Sequence, residues 1–215
     1  MTLLVNEIFH SIQGESSYAG WPCVFIRLTG CNLRCTYCDT RYAYEEGREM
    51  TVSDVLAGIR PFRCRLVQVT GGEPLVQGET PQLVSGLLRQ GHRVLVETNG
   101  SLDIGLLDRE CVKIVDFKCP SSGQADCNDL LNIERLGEAD EVKFIIGDRE
   151  DYVFAKGLAE LIRKKLELRI AVHFSPVFGV LEPRTLVEWV LADRLGVRLN
   201  LQLHKYIWDP DRRGV

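Results

Sequence analysis

Short runs of branched apolar residues recur along this chain, separated by longer stretches that carry apolar residues at helical spacing. Residues 24–28, 66–69, 94–96, 112–117, 142–146, 170–174 and 197–203 are near-continuous apolar runs. Runs of that length suit strands buried on both faces of a parallel sheet. Between them, Thr51 is placed to cap a helix reaching Gly58 and Ile59, with Asp54 set for a capping-box contact. Thr80 and Pro81 read as N-cap and first helical position, with Gly91 as the stop. Residues 148–166 carry Phe154, Leu158, Leu161 and Ile162 at helical spacing, and Glu182 with Pro183 opens a helix that ends near Gly196. Residues 103–107 and 125–133 are shorter helix candidates.

Strands alternating with helices imply parallel βαβ units. Such units build a partial barrel or an open α/β sheet. The expected fold is α/β, a partial (β/α)6-type barrel with parallel strands and residues 3–12 as a small N-terminal strand addition. No stretch of linker composition divides the chain, so residues 1–215 are read as one domain. Polar and glycine residues follow strand after strand: Thr29-Gly30-Cys31, Thr70-Gly71-Gly72-Glu73, Glu97-Thr98-Asn99, Lys118-Cys119-Pro120, Ser175-Pro176, then Gln202, His204 and Lys205. In a parallel barrel these all lie on one rim, where such folds place their sites. Loops are polar in any protein, but the helix-to-strand connections at 89–93 and 163–167 are plainer. That contrast favours a site shared by the strand ends.

Composition narrows the partners. With 45% hydrophobic and 26% charged residues over 215 positions, the chain is of globular type and long enough to bury a sizeable core. A net charge of −4 gives no bulk reason to expect nucleic-acid binding; Lys205, Arg212 and Arg213 form only a small basic cluster. No apolar run approaches the roughly 20 residues that span a bilayer. Residues 1–10 lack the basic start and clean apolar stretch of a signal peptide. The expected compartment is the cytoplasm, where thiols stay reduced.

Eight cysteines then need a reason other than disulfides. Cys23, Cys64, Cys111, Cys119 and Cys127 are scattered, as small buried hydrophobes are. Cys31, Cys35 and Cys38 instead crowd into a C-x3-C-x2-C spacing. Three thiolates that close in sequence can wrap one compact metal centre. A structural [4Fe–4S] cluster takes four cysteines; three leave one iron open to a cofactor or substrate. Tetrahedral zinc wants four ligands, usually in two pairs. A distant cysteine or histidine can supply the fourth, so the spacing alone leaves zinc open.

The same spacing, with Tyr37 before its last cysteine, resembles the signature of the radical S-adenosylmethionine (SAM) superfamily. Thr70-Gly71-Gly72-Glu73-Pro74 resembles that superfamily's second motif, after the next strand. The resemblance implies a [4Fe–4S] cluster on Cys31, Cys35 and Cys38 whose open iron is chelated by SAM. Electron transfer then cleaves a C–S bond and gives a 5′-deoxyadenosyl radical. It implies SAM contacts from Tyr37, Asp39, Gly72 and Glu73, and from Lys118-Cys119-Pro120-Ser121. Glycine lets backbone approach a ligand closely, and Glu73 can meet an ammonium or orient its loop.

Four stretches are similar to 7-carboxy-7-deazaguanine synthases: Asn6 to Glu15, Phe25 to Leu33, Cys38-Asp39-Thr40, and Leu203 to Pro210. That family contracts 6-carboxy-5,6,7,8-tetrahydropterin to 7-carboxy-7-deazaguanine with loss of ammonia, on the route to queuosine and other 7-deazapurines. It regenerates SAM and uses Mg2+. The resemblance implies that Ile12, Gln13 and Gly14 bind the pterin, with Glu15 beside them, and that Thr70 and His204 also contact substrate. An amide and backbone groups can read a donor–acceptor edge. Arg27 is a planar fork for the substrate carboxylate, and Thr40 matches a Mg2+ ligand, a hard oxygen. No catalytic group beyond these binding residues is assigned. The resemblance further implies a homodimer and an external one-electron reductant, with no nucleic-acid or membrane partner. One departure stands out: some family members end at a proline matching Pro210, whose terminal carboxylate helps bind substrate, whereas this chain runs on to Val215. Whether Asp209 or Val215 replaces that contact is open. The rival readings are a glycyl-radical-enzyme activase, which shares the cysteine spacing, and a zinc-binding module.

Overall fold

The computed structural model describes residues 2–166 and 170–215. Its elements run β1 (Thr2–Ile12), β2 (Pro22–Leu28), β3 (Arg48–Thr51), α1 (Val52–Ile59), β4 (Leu66–Gly71), α2 (Thr80–Arg89), β5 (Arg93–Thr98), β6 (Val112–Asp116), α3 (Asn132–Arg135), β7 (Glu141–Ile146), α4 (Arg149–Leu166), β8 (Ala171–Pro176), α5 (Pro183–Ala192), β9 (Arg198–Leu199) and α6 (His204–Ile207). Among the described residues the strands form one sheet in the order β3-β1-β2-β4-β5-β6-β7-β8-β9. β1 pairs antiparallel with β2 and β3. Every pair from β2–β4 to β8–β9 is parallel. This is the expected α/β architecture: a partial barrel whose edges, β3 and β9, do not meet, with the N-terminal strand added at one side.

Branched side chains fix the strands, because they pack well on a pleated surface. Val67, Val69, Val94, Val96 and Val142 are fully buried and face the helical layer. Val55, Leu83, Leu87, Tyr152, Ile162 and Leu186 meet them from the helices. The α1 capping box forms as its sequence suggests: Asp54 N–H donates to Thr51 Oγ1 at 3.1 Å, and Thr51 N–H donates to Asp54 Oδ2 at 3.1 Å. Such a cap contributes about 1 kcal/mol.

Several boundaries differ from expectation for physical reasons. The run at 197–203 yields only the two-residue β9. Asn200 is buried there: its backbone N–H reaches Phe174 O at 2.9 Å and its amide donates to Ser175 Oγ at 2.9 Å. The first of these is the last bond of the β8–β9 ladder; the Asn200 side chain bonds Ser175 and Ser16 instead, and the chain turns into α6. Thr80 lies inside α2 rather than capping it; its hydroxyl donates to Pro74 O at 2.6 Å. α5 stops at Ala192, short of Gly196, with Arg194 in the left-handed region at φ 52°. Residues 103–107 form only a short 3-10 turn, and residues 125–133 a 3-10 turn over Ala125–Cys127 and then the start of the four-residue α3. The plain connection expected at 163–167 is helical through Leu166, and Glu167 lies outside the described residues. β3 was not anticipated, because Arg48-Glu49-Met50-Thr51 carries no apolar run.

On the concave face a smaller cluster, Leu95, Val112 and Ile114, packs with Leu66 and Tyr18. Tyr18 belongs to the segment joining β1 to β2. That segment is pinned across the concave side: Ser16 N–H donates to Asn200 Oδ1 at 3.0 Å, and Ser17 N–H to Glu141 Oε2 at 3.0 Å. It therefore shuts one end of the open barrel and holds Gln13, Gly14 and Glu15 on the inside.

Candidate active site

The opposite end of the barrel opens into a cavity of about 800 Å³, lined by the loops after β2, β4, β5 and β6, the 12–15 segment, α6 and residues 210–215. The cysteine loop leaves β2 through Gly30, at φ 95°. The loop after β4 packs directly on it: Gly72 N–H donates to Leu28 O at 3.1 Å and Glu73 N–H to Gly30 O at 2.8 Å. A Cβ on Gly72 would collide with Gly30 O and with the Cys31 side chain. Glycine is thus required for the two motif loops to touch.

Cys31, Cys35 and Cys38 are free, half-buried and on the cavity wall. Burial pushes the Cys31 and Cys35 thiols up, while Lys118 pulls the other way. Among the described residues no three His, Cys, Asp or Glu side chains gather closely enough to hold a single ion. The three thiols instead border a wider space, and the fully buried Cys119 does not line it. Beside them the Tyr37 hydroxyl and Asp116 Oδ1 are buried without a hydrogen-bond partner among the described residues. Buried polar atoms ordinarily have partners, so these two await a ligand. Three thiols and two orphaned polar atoms on one cavity fit a three-cysteine cluster with a polar cofactor. Lys118 donates to Asp116 Oδ2 at 2.6 Å. Burial works against its charge, but Asp116 and Cys35 outweigh it and hold its pKa above the usual lysine range.

Glu73, fully buried, does not reach the cavity. Its carboxylate accepts from Leu75 N–H at 3.0 Å, Thr98 Oγ1 at 2.9 Å and Asn99 N–H at 2.6 Å, so it orients the loops. Pro120 and Ser121 also lie outside the lining, as does Cys119. Ser121 instead supports the cysteine loop from behind, its carbonyl accepting from Thr36 Oγ1 at 2.7 Å.

Across the cavity, Arg27 lies between the rings of Phe9 and Tyr42, each 5.7 Å from its guanidinium carbon. Its Nε donates to Glu7 Oε1 at 2.7 Å. Thr70 is its register partner on β4. Ile12, Gln13, Gly14, Glu15 and His204 line the same wall. A Cβ on Gly14 would collide with the His204 ring, and Leu203 N–H donates to Gly14 O at 3.0 Å. Burial lowers the His204 pKa. Asp39 accepts from Lys205 at 2.6 Å, Gln202 at 3.3 Å and Thr40 Oγ1 at 2.9 Å, tying the cysteine loop to α6. Burial acts to raise Asp39, but Lys205 outweighs it and holds the carboxyl well below its usual range.

Sequence reasoning missed Gln68, Asp116 and Lys143, all on the lining. Each is polar within or at the end of an apolar strand run, which was the available signal. Glu97 and Asn99 stood on the expected rim without a role, and both line the cavity. Residues 210–215 also face it, with Arg213 stacked 3.8 Å from the Tyr42 ring centre and bonded to Glu46 Oε2 at 2.9 Å.

Comparison with known proteins gives the same picture. The Radical SAM superfamily pattern matches residues 25–116. The 7-carboxy-7-deazaguanine synthase of Chlorobaculum tepidum is 47% identical over 99% of this chain and 97% of its own length. That of Koribacter versatilis is 42% identical over 98% of this chain and 99% of its own. The crystal structure of QueE from Escherichia coli superposes with a TM-score of 0.78 at 25% identity, covering 95% of each chain. Streptococcus suis SuiB bound to S-adenosylmethionine, at 15% identity and a TM-score of 0.55 over 80% of this chain and 47% of its own, shares the fold. With nearly half its residues identical to a relative along almost its entire length, the chain belongs to the 7-carboxy-7-deazaguanine synthase family within the radical SAM superfamily.

Proposed function

We propose that this protein contracts the ring of 6-carboxy-5,6,7,8-tetrahydropterin to 7-carboxy-7-deazaguanine with loss of ammonia, a step of 7-deazapurine and queuosine biosynthesis. The observation that carries the reading is one cavity in which three half-buried thiols face a polar wall bearing Arg27, Gln13 and Glu15, in a chain whose relatives bear that synthase's name. When bound, the [4Fe–4S] cluster and SAM supply a radical that takes a hydrogen atom from the substrate and returns it.

The chain's own residues hold and orient. Cys31, Cys35 and Cys38 ligate the cluster. Tyr37, Asp39, Gly72 and Lys118 serve the SAM side of the cavity, and Glu73, Cys119, Pro120 and Ser121 brace the loops around it. Glu7 occupies the Nε edge of Arg27, which leaves the two terminal amino groups to grip the substrate carboxylate. A charge-assisted bond of that kind is worth roughly 1.5–3 kcal/mol. Ile12, Gln13, Gly14, Glu15, Thr70 and His204 contact the pterin. The Thr40 hydroxyl, 2.9 Å from an Asp39 oxygen, is the Mg2+ ligand, a hard-oxygen site that substrate oxygens and waters complete. The protein works as a single domain, in a cytoplasmic homodimer fed by a one-electron reductant. Among the described residues no helix is long and apolar enough to cross a membrane.

The test is anaerobic reconstitution with iron and sulfide, then incubation with SAM, Mg2+, reductant and the carboxytetrahydropterin, with products read by mass spectrometry. 7-Carboxy-7-deazaguanine formed over many turnovers per SAM consumed supports the reading. SAM cleavage without deazaguanine overturns the substrate assignment.

A further inference from the structure

Lys143 stands on the inner face of β7, its side chain 5% exposed. It bridges two carboxylates: its Nζ donates to Glu15 Oε2 at 2.9 Å and to Glu97 Oε1. Glu97 Oε2 accepts from Gln68 Nε2 at 2.8 Å and Thr70 Oγ1 at 3.3 Å. Gln68 Oε1 accepts from Gln13 Nε2, and Gln13 Oε1 accepts from Glu15 N–H at 3.1 Å. The direction of this chain follows from its charged end. An ionised carboxylate only accepts, so Gln68 must turn its amino group to Glu97 and its carbonyl to Gln13. Gln13 must then turn its own amino group to Gln68. Glu15 Oε1 is buried and has no partner among the described residues.

The one carboxylate oxygen of this network left without a partner among the described residues, Glu15 Oε1, is therefore an acceptor. Burial works to keep Glu15 neutral, but Lys143 outweighs it and holds the carboxyl below its usual range. Burial likewise works against the charge on Lys143, and Glu15, Glu97 and Asp116 reverse that. His204 and Asp39 are the other charged or titratable groups acting on Glu15. Without the ammonium, the group that outweighs the burial of Glu15 is gone, and burial favours the protonated carboxyl. Glu15 then becomes a donor.

Building on the pterin reading above, we propose that Lys143 is a positioning residue that sets ligand selectivity. By keeping Glu15 an acceptor, it makes the floor of the cavity take the N–H-rich 2-amino-4-oxo edge of a pterin and disfavour the 2-oxo edge of a lumazine. A 2-oxo group would bring acceptor against acceptor and leave both unpaired.

Equilibrium dialysis of the reconstituted, SAM-loaded protein against 6-carboxypterin and 6-carboxylumazine tests this without turnover. The wild type is expected to prefer the pterin on the order of 10- to 100-fold, the cost of an unsatisfied buried polar group. Lys143→Met should bring the ratio to within a few-fold at neutral pH, with the preference returning as pH rises and Glu15 ionises. Lys143→Arg should keep it, since the charge remains. Lys143→Gln, which keeps a donor without the charge, should behave as Lys143→Met does and serves if that variant does not fold. Equal weakening of both ligands in Lys143→Met and Lys143→Gln, with the wild-type ratio kept at every pH, would overturn the role of Lys143. A wild type that binds lumazine as well as pterin would likewise overturn it, whereas a wild type that binds neither ligand overturns the pterin reading itself.

Discussion

The two faces of the sheet do opposite work with residues one position apart. On β7, Phe144 is fully buried in the helical layer while Lys143 bridges carboxylates in the cavity. On β5, Val96 packs outward and Glu97 lines the cavity. On β8, Phe174 meets the rings of Phe144 and Tyr152, and Ser175 accepts from Asn200 on the other side. The outer face needs only shape, since apolar burial is non-directional. The inner face needs partners, since every buried polar group must find one or wait for a ligand. Damage to the first should appear as lost stability, and damage to the second as lost binding or chemistry in a folded protein.

The largest expected effect is on the cavity rim. Cys31→Ala removes one of three ligands and should abolish turnover and most of the bound iron and sulfide, while the melting temperature of the cluster-free protein changes little. Wild-type iron content in this variant would sink the ligand assignment. Phe174→Ala is the opposite case. It empties a fully buried site between two aromatic rings and should cost about 3–5 kcal/mol of stability. For a chain of this size that lowers the melting temperature by roughly 10 °C. A melt unchanged within a few degrees would mean that the core is not organised around that strand. Arg27→Ala returns to the cavity. Loss of one charge-assisted contact should weaken pterin binding about 10- to 100-fold and leave SAM binding as it was. Equal loss of both, read by equilibrium dialysis, would make Arg27 a structural residue.

The same contrast explains what the sequence disclosed. The outer face was legible because its only requirement is apolar character, and the strand runs followed directly. The cysteine loop was legible because its three thiols are close in sequence, and the loop after β4 through its resemblance to the superfamily's second motif, whose Gly72 the contact with the cysteine loop requires. Gln68, Asp116 and Lys143 were hidden for the complementary reason. For Gln68 and Lys143 the meaning lies in partners far along the chain, such as Glu15 for Lys143, 128 residues away, and for Asp116 in the cavity its unpaired oxygen borders. The assignment of Cys119, Pro120 and Ser121 to the cavity followed from motif position alone. The turn after β6 points them behind the cysteine loop instead, where Ser121 accepts from Thr36. β9 was overestimated because apolar periodicity does not register that the buried Asn200 spends its hydrogen bonds on Ser16 and Ser175.

The smallest effect concerns inner-face polarity that is structural. Glu141 accepts from Ser17 N–H at 3.0 Å and lies 2.7 Å from His173 Nε2, closing the shut end of the barrel. Burial acts to raise its carboxyl, but the hydrogen bonds from His173 and Ser17 outweigh it and hold it below the ordinary 4.5. A carboxyl lowered by folding stabilises the folded state above its unfolded value, and that contribution fades as pH falls through the folded one. Glu141→Gln should therefore be less stable than wild type at neutral pH. The gap should narrow as pH drops below about 5, where the unfolded carboxyl begins to bind its proton. Urea midpoints for both proteins between about pH 7 and pH 3, within the usual range of acid denaturation, make the comparison. A gap constant across that range would show that Glu141 acts by shape alone, as the outer-face residues do, and the division between the two faces would then stop short of the closed end.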